Sequence, residues 1–106
     1  MSSYRNRLDI IADILSVVAP RAKKTQIMYR ANLSYKLLTR YLAEVVEAGL
    51  VLFESGNHYT LTSKGRVFLN VYKEYAKLNQ RMQKQLKDLH NKKKILEELC
   101  WNKTHL

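Results

Sequence analysis

The chain has 106 residues, 46% apolar and 26% charged, which suits one small hydrophobic core with an appendage and excludes a disordered chain. Nineteen Lys and Arg against nine Asp and Glu leave a net charge of +10, a surface that gathers polyanions: nucleic acid or an acidic membrane face. No run nears the roughly 18 apolar residues of a membrane span, and the N-terminal MSSYRNRLDIIADIL has acids inside its apolar stretch, so it is no signal peptide.

In chain order, Leu8, Ile11, Leu15 and Val18, with Ile14 beside them, recur at helical spacing and predict an amphipathic helix that ends before Pro20. PRAKK reads as a basic connector. Thr25 is placed to cap a short second helix with Ile27, Met28 and Ala31 facing inward, and Asn32 and Leu33 then form a tight turn. ANLSYKLLTRYLAEVVEAGLV follows, with Ser34 to cap a third helix, Gly49 to close it, and Leu38, Leu42, Val45 and Val46 on one side. The opposite side of its first two turns carries Tyr35, Lys36, Thr39 and Arg40, while Tyr41 is expected to pack at the flank. LVLFE and HYTL read as strands joined by SGN, whose Gly and Asn supply the positive φ of a tight hairpin. Thr62 caps a last helix that starts at Ser63 and runs to about Cys100, with no proline and no glycine beyond Gly65.

Helix, helix, turn, helix, hairpin is the order of a winged helix-turn-helix. The fold class is therefore mainly α with a small β-hairpin: a winged domain over residues 1–62, then a C-terminal dimerisation coiled-coil helix over 63–106. In that arrangement the third helix projects its polar N-terminal face toward a major groove. Lys36 and Arg40 then meet phosphates or guanine edges, and Tyr35 and Thr39 add hydrogen bonds or methyl contacts. Ser34 joins them, as do Lys24, Gln26 and Arg30 from the second helix. A solvated charged face is the plain alternative.

Phe68, Tyr72, Tyr75, Asn79, Met82, Leu86, Leu89, Lys93, Leu96 and Cys100 recur at alternating spacings of four and three, a heptad seam with Tyr72 at a and Phe68 at d. Residues 63–106 also hold eleven cations against four acids, most of the chain's excess. A helix with one apolar stripe needs a partner, and a second copy is the simplest one; folding back onto the globular part is the alternative. A parallel pair would set Lys93 against its own copy. In an antiparallel pair Phe68 faces Cys100, Tyr72 faces Leu96, Tyr75 faces Lys93, Asn79 faces Leu89 and Met82 faces Leu86, so Lys93 lies against an aromatic ring. The antiparallel homodimer is the expected state, with two winged domains at opposite ends of a basic rod.

IMYRANLSYKLLTRYLAEVVEAGLV, then YTLTSKG, then the long heptad helix, together resemble the 10a class of small archaeal chromatin-associated proteins, over essentially the whole chain. The resemblance implies winged-helix domains joined through an antiparallel coiled coil, binding double-stranded DNA with little sequence preference and associated with the nucleoid. Carried over by position, it puts Ser34, Tyr35, Lys36, Thr39 and Arg40 on DNA from the third helix, and Ser55, Asn57 and His58 from the wing. This wing departs from a basic one, having Glu54 and no Lys or Arg.

Other function classes find less in the sequence. The nine acids are scattered, SGN is too short for a phosphate-binding loop, and Cys100 with His105 lacks further metal ligands. No catalytic residue, metal, other cofactor, membrane partner or small-molecule ligand is therefore expected. Lone Cys100 excludes an internal disulfide and fits a reducing, cytoplasmic setting. A sequence-specific winged-helix transcription regulator remains open, since one fold serves both roles. A protein–protein scaffold is the third class, and the charge of +10 speaks against it.

Overall fold

Asn6 and Asp9 start the first helix by exchanging caps. The Asn6 side chain accepts from the Asp9 amide at 2.8 Å and the Asp9 carboxylate accepts from the Asn6 amide at 3.0 Å, so two of the orphan amides of a helix end are satisfied. That helix, α1, runs Arg7–Val18 and buries Ile10, Ile11, Ile14, Leu15 and Val18, while Leu8, expected on the same face, is 40% exposed. The computed structural model describes residues 5–101; His105, weighed above beside Cys100, lies outside them. Two compact units divide the chain, Met1–Tyr72 and Lys73–Leu106.

The connector PRAKK is in fact a strand. Arg21–Lys23 forms β1, with Ala22 buried and its two cations exposed, and it pairs antiparallel with β3, His58–Leu61. The sheet order is β1-β3-β2, where β2 is Val51–Glu54. Three residues carry only a weak alternation, and the partner strand is what identifies β1. Its presence also moves the second helix: α2 is Lys24–Arg30, with Lys23 at the N-cap and Thr25 inside the first turn rather than at the cap. The Gln26 side chain accepts from the Lys23 amide at 2.9 Å and does the capping instead.

The turn between α2 and α3, Tyr35–Glu47, is held from three directions. Asn32 takes φ 55°, the Leu33 amide donates back to Met28 O at 3.0 Å and the Asn32 amide to Tyr29 O at 3.3 Å. This is a Schellman ending with asparagine in glycine's place. Arg5 closes it from outside, donating to Ala31 O at 2.7 Å, Asn32 O at 2.8 Å and Asp13 at 2.9 Å. Ser34 Oγ then accepts from the Leu37 amide at 3.1 Å and opens α3 as expected. At the far end Gly49, φ +79°, allows Leu50 N to reach Val45 O at 2.9 Å and Gly49 N to reach Val46 O at 3.0 Å.

Leu38, Tyr41, Leu42 and Val45 of α3 are buried against Ile14, Leu15, Val18, Ile27 and Val51 in one core. Each such side chain contributes about 1.5–3 kcal/mol on burial. Val46, expected inward, is 37% exposed. The hairpin turn places positive φ at Gly56 and Asn57. Thr62 Oγ1 accepts from the Gly65 amide at 3.0 Å and donates to Gly49 O at 2.7 Å, which starts α4, Ser63–Trp101. Phe68 and Leu69 pack against the core of the first unit, and the Tyr72 hydroxyl donates to Asp9. Among the described residues no helix is long and apolar enough to cross a membrane.

Candidate nucleic-acid interface

The core fixes which side of α3 is free. With Leu38, Leu42 and Val45 turned inward, Tyr35, Lys36, Thr39 and Arg40 stand on the exposed side of the first two turns. Ser34, Lys36, Leu37, Thr39 and Arg40 line one shallow recess there. Thr39 Oγ1 donates to Tyr35 O at 2.8 Å, which spends its proton on the backbone and leaves its lone pair and methyl outward. Arg40 lies 5.3 Å from the Tyr41 ring centroid, so a buried aromatic steadies its guanidinium.

The second helix adds to this face through one contact. Lys24 Nζ sits 4.1 Å above the centroid of Tyr35, a ring that is itself 64% exposed. The stacked cation is held in place at the entrance of α3 instead of sweeping solvent. Gln26 is tied to the Lys23 amide by its oxygen and keeps only its amide protons free. Arg30 is exposed in the last turn of α2. Ser55 and Asn57 are exposed in the hairpin turn.

His58 is half-buried at the start of β3 and stands across from Lys23 of β1. Arg21 Nη2 lies 3.3 and 3.4 Å from its two ring nitrogens, close enough to donate to whichever nitrogen lacks a proton. The wing thus has cations beside it although its own sequence has none: Arg21 and Lys23 come from β1. Sequence reasoning missed both. The exposed–buried–exposed alternation of Arg21, Ala22 and Lys23 was the available signal, and three residues of it are weak. The aromatic pair Phe53 and Tyr59, with centroids 4.8 Å apart, was also missed; it lines a hollow with Lys24, Thr39 and Val46.

The heptad seam of α4 lies mostly along exposed positions. Tyr75, Met82, Leu86, Leu89 and Leu96 are exposed, as are Asn79, Lys93 and Cys100. Phe68 and Tyr72 are half-buried within the first unit, stacked on each other at 6.4 Å. Val71, Leu78 and Leu99, one position before Tyr72, Asn79 and Cys100, are 57%, 57% and 60% exposed. The apolar band of α4 therefore extends over a, d and g positions. Among the described residues no group of three or more His, Cys, Asp or Glu gathers as metal ligands.

A family model described as winged helix-turn-helix matches residues 4–80. The chain belongs to the winged helix-turn-helix family. An uncharacterized protein of Methanocaldococcus jannaschii, MJ0290, is 36% identical over 78 residues, which cover 73% of this chain. The winged helix-turn-helix chain spans 36% of the length of that relative. Its fold is similar to that of Sso10a-2, a DNA-binding protein from Sulfolobus solfataricus, with TM-score 0.79 and 23% identity over 82% of this chain and 95% of that one. The 10a resemblance read from the sequence is thus met in the fold. The M. tuberculosis transcriptional regulator MosR is similar at TM-score 0.53 and 19% identity, over 86% of this chain and 78% of its own.

Proposed function

We propose that the protein is a homodimeric, sequence-tolerant binder of duplex DNA, of chromatin or nucleoid type, that enters the major groove with α3. The observation that carries this reading is the row Tyr35, Lys36, Thr39 and Arg40 on the free side of α3, with Lys24 stacked on Tyr35 at its entrance. Lys36 and Arg40 neutralise phosphates, and Tyr35 and Thr39 offer contacts that suit several bases. Arg21 and Lys23 supply the backbone contacts that the hairpin itself lacks. Sso10a-2, whose fold is similar, is a DNA-binding protein, which supports the same reading.

Dimerisation runs through the apolar band of α4, antiparallel. Because Tyr72 is engaged by Asp9, the seam leans from the a column toward g, and d residues meet g residues of the second copy. Phe68 then faces Leu99, Val71 faces Leu96, Tyr75 faces Lys92, Leu78 faces Leu89 and Met82 faces Gln85. This keeps Lys92 beside an aromatic ring, whereas a parallel pair would set it against its own copy.

Titration of unrelated duplexes at several salt concentrations tests the DNA reading. Affinity is expected to vary little with sequence and to fall steeply with salt, and Lys36→Ala with Arg40→Ala should lower the log–log slope by roughly two units. An affinity indifferent to salt overturns the proposal. Strong preference for one duplex over unrelated ones would make the protein a sequence-specific regulator instead.

A further inference from the structure

The winged face leaves the cations of α4 unused. Written in heptads, the b and f columns of the helix hold Lys73, Lys77, Lys84, Lys87 and Lys94, with Arg81 beside them at c. All six are exposed. These columns lie on the side of the helix away from the apolar band, so pairing through that band leaves them facing outward. Lys73, Lys77 and Arg81 follow at intervals of four, and Arg81, Lys84 and Lys87 at intervals of three. Like charges at those spacings are neighbours on the helix surface and weaken it. Two acids fall within the stretch: Glu74 sits beside Lys73, and Asp88 is drawn to Lys92 at 3.6 Å. Two acids do not balance six aligned cations, so a repulsion remains that a polyanion would relieve.

Its shape narrows the polyanion. Lys73 to Lys94 covers roughly 32 Å at 1.5 Å per residue, comparable to about nine base pairs of duplex at ~3.4 Å each. Shallow recesses open between the long side chains, one lined by Lys77, Gln80, Arg81 and Lys84, and the next by Arg81, Lys84, Gln85, Lys87 and Asn91 with Asp88 at its edge toward Lys92. Gln80 and Asn91 add neutral donors among the charges, as phosphate oxygens require. The b and f columns carry no apolar side chain between Lys73 and Lys94 that could enter a bilayer, which disfavours a lipid surface. A row of cations repeating at helical spacing along one side of a single helix fits an extended polyanion.

We propose that this stripe is a second DNA site, blind to sequence, that takes the phosphate backbone of a duplex, and that the dimer uses its two stripes to hold two separate duplex segments side by side. This rests on the antiparallel dimer proposed above. The midpoint of the stripe falls between Gln83 and Lys84, where pairing of Met82 with Gln85 puts the two-fold axis. The two stripes then lie level with each other and point in opposite directions across the helix pair.

The test is the full chain with Lys77→Gln, Arg81→Gln, Lys84→Gln and Lys87→Gln, since glutamine keeps helix propensity near that of lysine. Affinity for a 12-base-pair duplex, long enough for one winged domain, should stay within about twofold. Capture of a free labelled duplex by a bead-held duplex should fall at least tenfold. On long DNA the log–log salt slope should drop by roughly three to four units, at about 0.9 per lost phosphate contact. Unchanged capture overturns the inference, as does an equal loss in both assays, which would mean only a diffuse field. Loss of binding to phosphatidylserine vesicles with capture intact overturns it in favour of a membrane. Should the fourfold variant lose helix content, Lys84→Gln with Lys87→Gln is read in the same assays, with half the slope change expected. Lys36→Ala with Arg40→Ala separates the two readings: if it alone is silent, α3 is not the groove reader, and the capture result on the stripe still stands or falls by itself.

Discussion

Arg21 and Lys23 decide whether the wing touches DNA. The hairpin of this chain carries Glu54 and no cation of its own, so phosphate contacts from that side depend on the strand paired outside β3. Arg21 lies within 3.4 Å of the His58 ring and Lys23 stands across from His58, which clusters the cations at one level of the sheet. Arg21→Ala with Lys23→Ala is expected to weaken short-duplex binding and to lower the log–log salt slope by about two units, independent of duplex sequence. Ala22 stays buried in this variant, so the circular dichroism melt serves as the folding control. A slope equal to the parent's would mean that DNA does not reach β1. At this scale the α3 candidates were legible because a single helix sets their spacing. The two strand cations were not, because nothing local says that β1 will pair with a segment 37 residues away, the separation of Arg21 from His58.

Element boundaries follow the same division. Ser34, Gly49 and Thr62 were readable as start and stop signals because capping is decided within a few residues. Thr25 was not, because the strand before α2 moves the cap to Lys23, where the Gln26 side chain accepts from the cap residue's own amide. Gly65 holds a tertiary meaning that its sequence position hides. In the first turns of a helix, glycine costs about 1 kcal/mol relative to alanine, so propensity alone favours replacement. A Cβ there, however, would stand 2.3 Å from Leu50 O and 2.5 Å from Leu61 Cδ1. Leu50 O is backbone, and it also accepts from Thr62 N at 3.1 Å, so it has little room to retreat. With backbone this close the overpacking falls toward the upper end of about 1–3 kcal/mol and exceeds the propensity gain by about 1–2 kcal/mol. Gly65→Ala should lower the melting temperature by roughly 5–15 °C. A melt at or above that of the parent would mean that the β2–α4 junction yields freely.

The apolar band of α4 bears on the whole molecule. Its period is set by the d residues Tyr75, Met82, Leu89 and Leu96, which repeat without interruption; the proposed centre turns on Tyr72, whose hydroxyl donates to Asp9 within the first unit. Two columns compete to flank d. The a column offers Asn79, Leu86, Lys93 and Cys100, and the g column offers Val71, Leu78, Gln85, Lys92 and Leu99. The g column holds three large aliphatic side chains, Val71, Leu78 and Leu99, against Leu86 in the a column, all more than half exposed in the single chain, a net of two whose burial is worth on the order of 1.5–3 kcal/mol apiece. A lysine stands opposite Tyr75 in either seam, Lys92 with g and Lys93 with a, so the aliphatic difference decides between them. Disulfide trapping in a Cys100→Ser background separates the arrangements. With Leu89→Cys alone, a parallel dimer sets each cysteine beside its own copy and oxidises to a covalent dimer. In the antiparallel dimer those two cysteines are eleven residues apart along the pair, roughly 16 Å, and the chains stay separable on a non-reducing gel. Adding Leu78→Cys should then restore efficient cross-linking between chains at dilute concentration, because Leu78 faces Leu89. If Asn79→Cys with Leu89→Cys cross-links better than Leu78→Cys with Leu89→Cys, the seam runs through a instead of g. Self-linking of Leu89→Cys alone would mean a parallel pair, whose two-fold runs along the helix pair instead of crossing it between Gln83 and Lys84, so both winged domains and both stripes would point the same way.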